Sequence, residues 1–168
     1  HVVGLAIMVT TMLLAILPGA AAQSSCAQPI ALLESFRNTV QLVAISTRIS
    51  RPAEQRMTIC PGDTIRVGDN SRAVVLILAS NAPLAVDQNS ELIVTESAQR
   101  PGSAIDLVRG ALLFLTRVRR PVEIRTPFVN ASVEGTEFVV RVQPERTVIT
   151  VFEGAVLASN PMGTLLIG

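Results

Sequence analysis

The sequence predicts an all-β domain. From residue 40 onward, short apolar runs separated by turn residues recur at intervals of about ten residues, a spacing typical of all-β folds. A weak internal similarity is consistent with repeated strands, because RGALLFL at 109–115 resembles EGAVLAS at 153–159, about 44 residues later. These observations fit a twisted, solenoid-like stack of short strands and also fit a β-sandwich.

Each predicted strand is a run rich in apolar or β-branched residues that ends at a turn-forming residue. Before them, Ile30, Leu33 and Phe36 share a helical spacing, which predicts one short turn of helix at 29–36 or none. The strands are predicted at 40–45, 57–60, 73–78, 84–86, 91–95, 105–108, 111–115, 122–126, 129–133, 137–142, 147–152, 155–157 and 164–167.

The apolar N-terminal sequence predicts an export signal. Residues 2–17 form a continuous run of apolar and small residues, which Pro18 and Gly19 end and three alanines follow. This pattern predicts a secretory signal peptide at 1–22, with a retained membrane anchor as the alternative. We therefore expect a periplasmic or secreted protein with an N-terminal segment at 23–39 and the domain at 40–168, which we expect to continue beyond residue 168. The membrane would be contacted only if residues 1–22 are retained.

Cys26 and Cys60 are the two cysteines of the chain. An even cysteine count behind an export signal predicts a disulfide. In the chain-entropy model, closing a loop of this length stabilises a fold by roughly 3 to 4 kcal/mol. The bond would tie the mature N-terminus to the first strands.

The amino-acid composition argues against nucleic-acid binding and against most kinds of catalysis. The formal net charge is +1, and the chain has no Lys, Trp or Tyr, so neither a strong pull on nucleic acid nor an aromatic platform for bases is expected. Its single histidine, His1, lies in the leader, which leaves no base for a Ser or Cys nucleophile. Glu123 and Glu137 remain formally possible as paired carboxylates. We predict a non-enzyme with no cofactor and no metal.

The segment from Thr126 to Asn160 holds the most specific pattern. Phe138, Val140 and Val142 alternate with polar or exposed positions, which predicts a strand with one buried face. Gly135 precedes that strand and Gly154 follows the next, and such glycines supply positive φ or room for close approach. The alternative interpretation makes Glu134 and Glu137 ligand contacts.

This segment resembles the core of a FecR domain. The family's signature is matched by Thr126 and Pro127, by Gly135, Thr136 and Phe138, and by Glu153, Gly154 and Val156. Upstream, CPGDTIRVGDNSRAVVLIL at 60–78 and LAVDQNSELIV at 84–94 extend the resemblance. The resemblance implies the solenoid-like version of the all-β fold. The sequence of residues 127–138 is most similar to that of secreted members in which the domain precedes tetratricopeptide-type repeats.

The resemblance also implies a function, a non-catalytic exported module that binds a protein or senses an envelope signal. Alternatives are the periplasmic part of a membrane-anchored sigma-factor regulator that responds to iron-siderophore transport, and a domain that binds glycan or another envelope polymer. The basic cluster of Arg117, Arg119, Arg120 and Arg125 is the predicted charged edge for a protein partner or an anionic surface; the plainer interpretation is a solvated strand edge.

Overall fold

The computed structural model describes residues 26–97, 103–115, 121–133 and 135–168. In these ranges the regular structure consists of strands, which confirms the predicted all-β class. The strands are β1 Ala31–Arg37, β2 Val40–Val43, β3 Ser50–Pro52, β4 Thr58–Ile59, β5 Thr64–Val67, β6 Arg72–Ile77, β7 Ala82–Val86, β8 Ser90–Glu96, β9 Ser103–Leu115, β10 Val122–Arg125, β11 Asn130–Val133, β12 Glu137–Gln143, β13 Arg146–Glu153, β14 Val156–Asn160 and β15 Gly163–Ile167.

The strands form one open mixed sheet that folds over at β9 into two layers around one core. Sheet A has the order β4-β1-β6-β7-β9-β12-β13, and sheet B has the order β3-β2-β5-β8-β9-β10-β11-β14-β15. The ladders are antiparallel apart from the β9–β10 pair, which is parallel. Alternate side chains of both layers point inward and are buried, as a two-layer β architecture requires.

The chain crosses from one layer to the other at sharp turns, which we call corners and which stack in a column. This stacking gives the fold its solenoid-like character. At Asn70 and Asn89 the backbone has positive φ, a conformation that asparagine adopts more readily than most residues. The buried Ser71 hydroxyl accepts a hydrogen bond from the Thr39 amide at 2.9 Å and so links two successive corners. The next corner lies within β9, at Gly110, where φ is +90°.

On the side away from these corners, a buried carboxylate and the disulfide stabilise the N-terminal end of the domain. Cys26 and Cys60 are bonded, with their Cα atoms 5.8 Å apart, which confirms the predicted pairing. Asp63 is buried, and its two carboxylate oxygens accept hydrogen bonds from the Ile45 and Cys60 amides, each at 2.9 Å. The carboxylate therefore satisfies two backbone donors where three chain segments meet.

Replacing Asp63 with alanine is expected to lower the free energy of unfolding by about 3 kcal/mol, because two backbone donors lose a charged acceptor. Denaturant unfolding followed by circular dichroism measures the loss. Asp69→Ala is the control, since Asp69 is exposed and its removal is expected to cost less than about 0.5 kcal/mol. Equal losses in the two variants would contradict the assigned role.

Several local predictions were wrong. Residues 29–36 contain no helix, and a strand that was not predicted, β1, runs from Ala31 to Arg37. A register shift between Leu33 and Ser35 changes the phase of this strand and accounts for the apparent helical spacing. The runs at 105–108 and 111–115 belong to the single strand β9. β3 and β5 were also missed: β3 has only three residues and ends at Pro52, and β5 is a four-residue strand, TIRV, between two turns.

The five phenylalanines of the chain divide between the core and the surface. Phe114 and Phe138 are fully buried, whereas Phe36 and Phe128 are partly exposed and Phe152 is 62% exposed. The exposed rings lie on β1, the β10–β11 connection and β13 respectively. The glycan-binding alternative stays a prediction.

Candidate functional site

The glycines of the family signature meet at one corner of the structure. Gly135 has φ +63° and Gly154 has φ +84°, so both adopt the backbone conformation that was predicted for them. A Cβ atom added to Gly154 would lie 2.8 Å from the Thr136 Cγ2 atom and 3.1 Å from the Gly135 carbonyl oxygen. The two halves of the signature therefore pack against each other, and their role in this corner is structural.

The remaining signature residues also serve packing and turn formation. The Thr126 hydroxyl accepts a hydrogen bond from the Val129 amide at 3.1 Å and lies 2.7 Å from the Thr147 hydroxyl, which ties the loop that holds Pro127 to β13. Phe138 is fully buried, and its ring centroid lies 5.5 Å from that of Phe114. The predicted strand phase is confirmed.

The carboxylates of this region form no recognisable reaction centre. Glu137 and Glu153 lie opposite each other on β12 and β13 in sheet A, whereas Glu123 lies on β10 in sheet B and accepts a hydrogen bond from the Ser97 hydroxyl at 3.2 Å. Glu134 lies outside the described residues. Across the described ranges no group of three or more His, Cys, Asp and Glu side chains is placed to hold a metal ion.

The outer face of sheet A is apolar across several adjacent strands. A continuous row crosses four strands, in which Val74 pairs with Ala85, Ala85 with Leu113, and Leu113 with Val139. These side chains remain partly exposed, as do their apolar neighbours on the same side. We call this surface the apolar face; its members are Leu32, Val74, Leu76, Pro83, Ala85, Leu113, Leu115 and Val139.

Charged residues border the apolar face on one side. The Asp87 carboxylate lies 3.5 Å from the Arg72 guanidinium and 4.0 Å from that of Arg141. A shallow groove of about 200 Å³ runs between these charges and the side chains of Leu113 and Val139. Two arginines share one carboxylate, so this border keeps a net positive charge. An apolar floor beside a cationic border suits a partner that presents apolar and acidic side chains.

The outer face of sheet B differs, because it is mainly polar. The Arg125 guanidinium pairs with the Asp106 carboxylate, with one contact of 3.0 Å, and also donates to the Thr95 hydroxyl at 2.8 Å. Arg125, a member of the predicted basic edge, is thus held by a carboxylate of the neighbouring strand. The other members, Arg117, Arg119 and Arg120, lie outside the described residues, so the basic edge stays a prediction.

Sequence reasoning missed the apolar face, although a signal for it was present. The runs at 73–78 and 111–115 are apolar at nearly every position, a pattern typical of strands that are covered on both sides. The strands of sheet B alternate instead, as in TIRV at Thr64–Val67 and VEIR at Val122–Arg125. A continuous apolar run in a strand therefore indicates apolar side chains on both sides of the sheet, and the described residues leave those of the outer side partly exposed.

The fold is an open two-layer β module. Its signature residues serve packing and turn formation, and the outer face of sheet A is apolar. The family model described as FecR protein matches residues 63–157, more than half of the chain. The protein therefore belongs to the FecR family. No curated protein matches the chain.

Two solved structures share the fold. Both are crystal structures of a candidate anti-sigma factor from Parabacteroides distasonis ATCC 8503, determined at 2.50 and 1.65 Å resolution. They superpose with TM-scores of 0.54 and 0.52 at 17% and 16% sequence identity, over 62% of this chain. The alignment covers 50% of each of those chains, so the match spans half of their length.

Proposed function

We propose that this protein is a non-catalytic signalling module that binds another protein through the apolar face. The observation that carries the proposal is the row from Val74 to Val139, which leaves apolar side chains partly exposed across four adjacent strands. Contiguous apolar surface that is rimmed by charged residues is typical of protein interaction sites. The groove beside Asp87 and Arg141 adds charges that orient a partner.

Membership of the FecR family and the likeness to a candidate anti-sigma factor support a role in signalling. The finer proposal is that the module is exported and acts as the periplasmic part of a membrane-anchored sigma-factor regulator. Residues 1–22, where the export signal or anchor is predicted, lie outside the described residues. Within those described, no helix is long and apolar enough to cross a membrane.

The proposal is tested by crosslinking capture from bacterial envelope extracts, with captured proteins identified by mass spectrometry. We expect the wild-type protein to retain a specific partner and Leu113→Glu to lose it, because the new carboxylate would be desolvated in the interface. Leu157→Glu is the matched control, since it makes the same change on β14 of sheet B. Circular dichroism establishes that both variants are folded.

Equal capture by wild type and Leu113→Glu would contradict the assignment of the apolar face. Arg141→Glu provides a second test, because it reverses a charge on the border and leaves the apolar row intact. It is expected mainly to slow association and to alter its salt dependence. Turnover of a hydrolase or transferase substrate by the purified protein would contradict the non-catalytic function.

A further inference from the structure

The turn that joins β2 to β3 exposes two aliphatic side chains. We call residues 44–49 the tip. Ile45 is 52% exposed and Ile49 is 64% exposed. The turns at the corners, 68–70 and 87–89, instead contain glycine, aspartate, asparagine and glutamine, and small or polar residues of this kind dominate turns in general. The tip therefore exposes β-branched aliphatic side chains where polar ones are usual.

Hydrogen bonds fix the shape of the tip. The Arg48 amide donates to the Ala44 carbonyl at 2.8 Å, and the Ala44 amide donates to the Ile49 carbonyl at 3.3 Å. The Ile45 amide donates to the buried Asp63 carboxylate at 2.9 Å. Arg48 has φ +59°, a conformation that glycine and asparagine adopt more readily than arginine does. The tip thus presents its two isoleucines and its arginine from a defined turn.

The tip also has a positive charge. Residues 39–53 contain two arginines, Arg48 and Arg51, and no acidic residue. Arg48 is exposed, and the neighbouring residues 60–62 are uncharged. Asp63 is buried, and both of its carboxylate oxygens accept hydrogen bonds from backbone amides. Exposed aliphatic side chains beside a cation suit an anionic lipid surface, where the former enter the headgroup region and the latter meets phosphate.

The tip lies on the side at which the domain joins the preceding chain. Asp63 accepts a hydrogen bond from the Cys60 amide, and Cys60 is bonded to Cys26. Eight residues separate Cys26 from the apolar run at 2–17, and a connection of that length spans at most about 30 Å. If the run is retained as the predicted anchor, it therefore keeps this side of the domain close to the lipid.

We propose that the tip contacts the membrane, with Ile45 and Ile49 inserted among the headgroups of an anionic lipid surface and Arg48 paired with their phosphates. The contact is shallow and reversible, because two aliphatic side chains and one cation supply only weak binding. The strands run from the side of the tip to the corners, so the apolar face of sheet A lies on a flank and stays accessible. The contact uses none of its residues and does not depend on the proposed function.

Tryptophan fluorescence tests the proposal, because the chain contains no tryptophan and each variant reports on one position. Ile49→Trp places the probe in the tip. Phe128→Trp is the matched control, since Phe128 is 37% exposed in the β10–β11 connection on the side of the corners. The full chain is mixed with vesicles of phosphatidylglycerol and phosphatidylcholine. We expect the emission of Ile49→Trp to shift to shorter wavelength and to be quenched by brominated acyl chains, and that of Phe128→Trp to do neither.

A charge reversal gives the second test. Arg48→Glu, introduced into Ile49→Trp, is expected to abolish the shift, and circular dichroism establishes that the variant is folded. Vesicles of phosphatidylcholine alone are expected to give a smaller shift. An anchor formed by residues 1–22 would bring both probes to the vesicle equally, so the comparison holds with or without it. An unshifted Ile49→Trp, equal responses of the two probes, or a shift that Arg48→Glu leaves unchanged would overturn the proposal.

Discussion

Replacement of Gly110 with valine is expected to prevent folding at ambient temperature. Gly110 forms the corner at which β9 leaves sheet B and enters sheet A, and its φ is +90°. A Cβ atom there would lie 2.1 Å from the Ser90 Oγ atom and 2.5 Å from the Ser90 Cα atom. Because the second contact is with backbone, a rotamer change cannot relieve it, and we expect a loss above about 4 kcal/mol.

Circular dichroism and denaturant unfolding measure this effect. Gly163→Ala is the control, because Gly163 also has positive φ, at +153°, but a Cβ atom there would meet nothing within 4 Å. Gly110→Ala should already be far more destabilising than Gly163→Ala. Similar stability of the two alanine variants would contradict the close packing of Ser90 on Gly110.

Replacement of Phe138 with alanine is expected to lower the free energy of unfolding by about 3 to 5 kcal/mol, as large-to-small changes in cores do. Phe138 is fully buried and lies in an inward row across sheet A, paired with Phe114 on β9 and Val151 on β13. The lost ring would leave a cavity next to Phe114. Denaturant unfolding gives the loss directly.

Phe152 provides the matched control for this change. It lies on the neighbouring strand β13, but its side chain is 62% exposed. Phe152→Ala is therefore expected to cost less than about 0.5 kcal/mol. A loss below 1 kcal/mol for Phe138→Ala would show that this residue does not fill the core.

Strand identity and side-chain phase could be predicted where apolar and polar residues alternate. The strand that holds Phe138 is such a case, because a period of two fixes which side is buried. β1 could not be predicted, since the shift between Leu33 and Ser35 depends on its pairing with β6. The continuity of β9 through Gly110 depends likewise on its neighbours in both layers.

The disulfide and the positive φ values of Gly135 and Gly154 could be predicted from residue type and position. The apolar face could not be located in the same way, because it combines side chains from β1, β6, β7, β9 and β12 that only sheet pairing brings into register. Its ionic border has the same origin, since Arg72, Asp87 and Arg141 are far apart in sequence.

The central claim is that the apolar face of sheet A binds a protein partner. Calorimetric titration of the captured and identified partner with wild type, Leu113→Glu and Leu157→Glu tests it most directly. Leu113→Glu is expected to weaken binding by at least about tenfold, equivalent to about 1.4 kcal/mol, while Leu157→Glu is expected to bind as the wild type does. Equal affinity of the wild type and folded Leu113→Glu would contradict it.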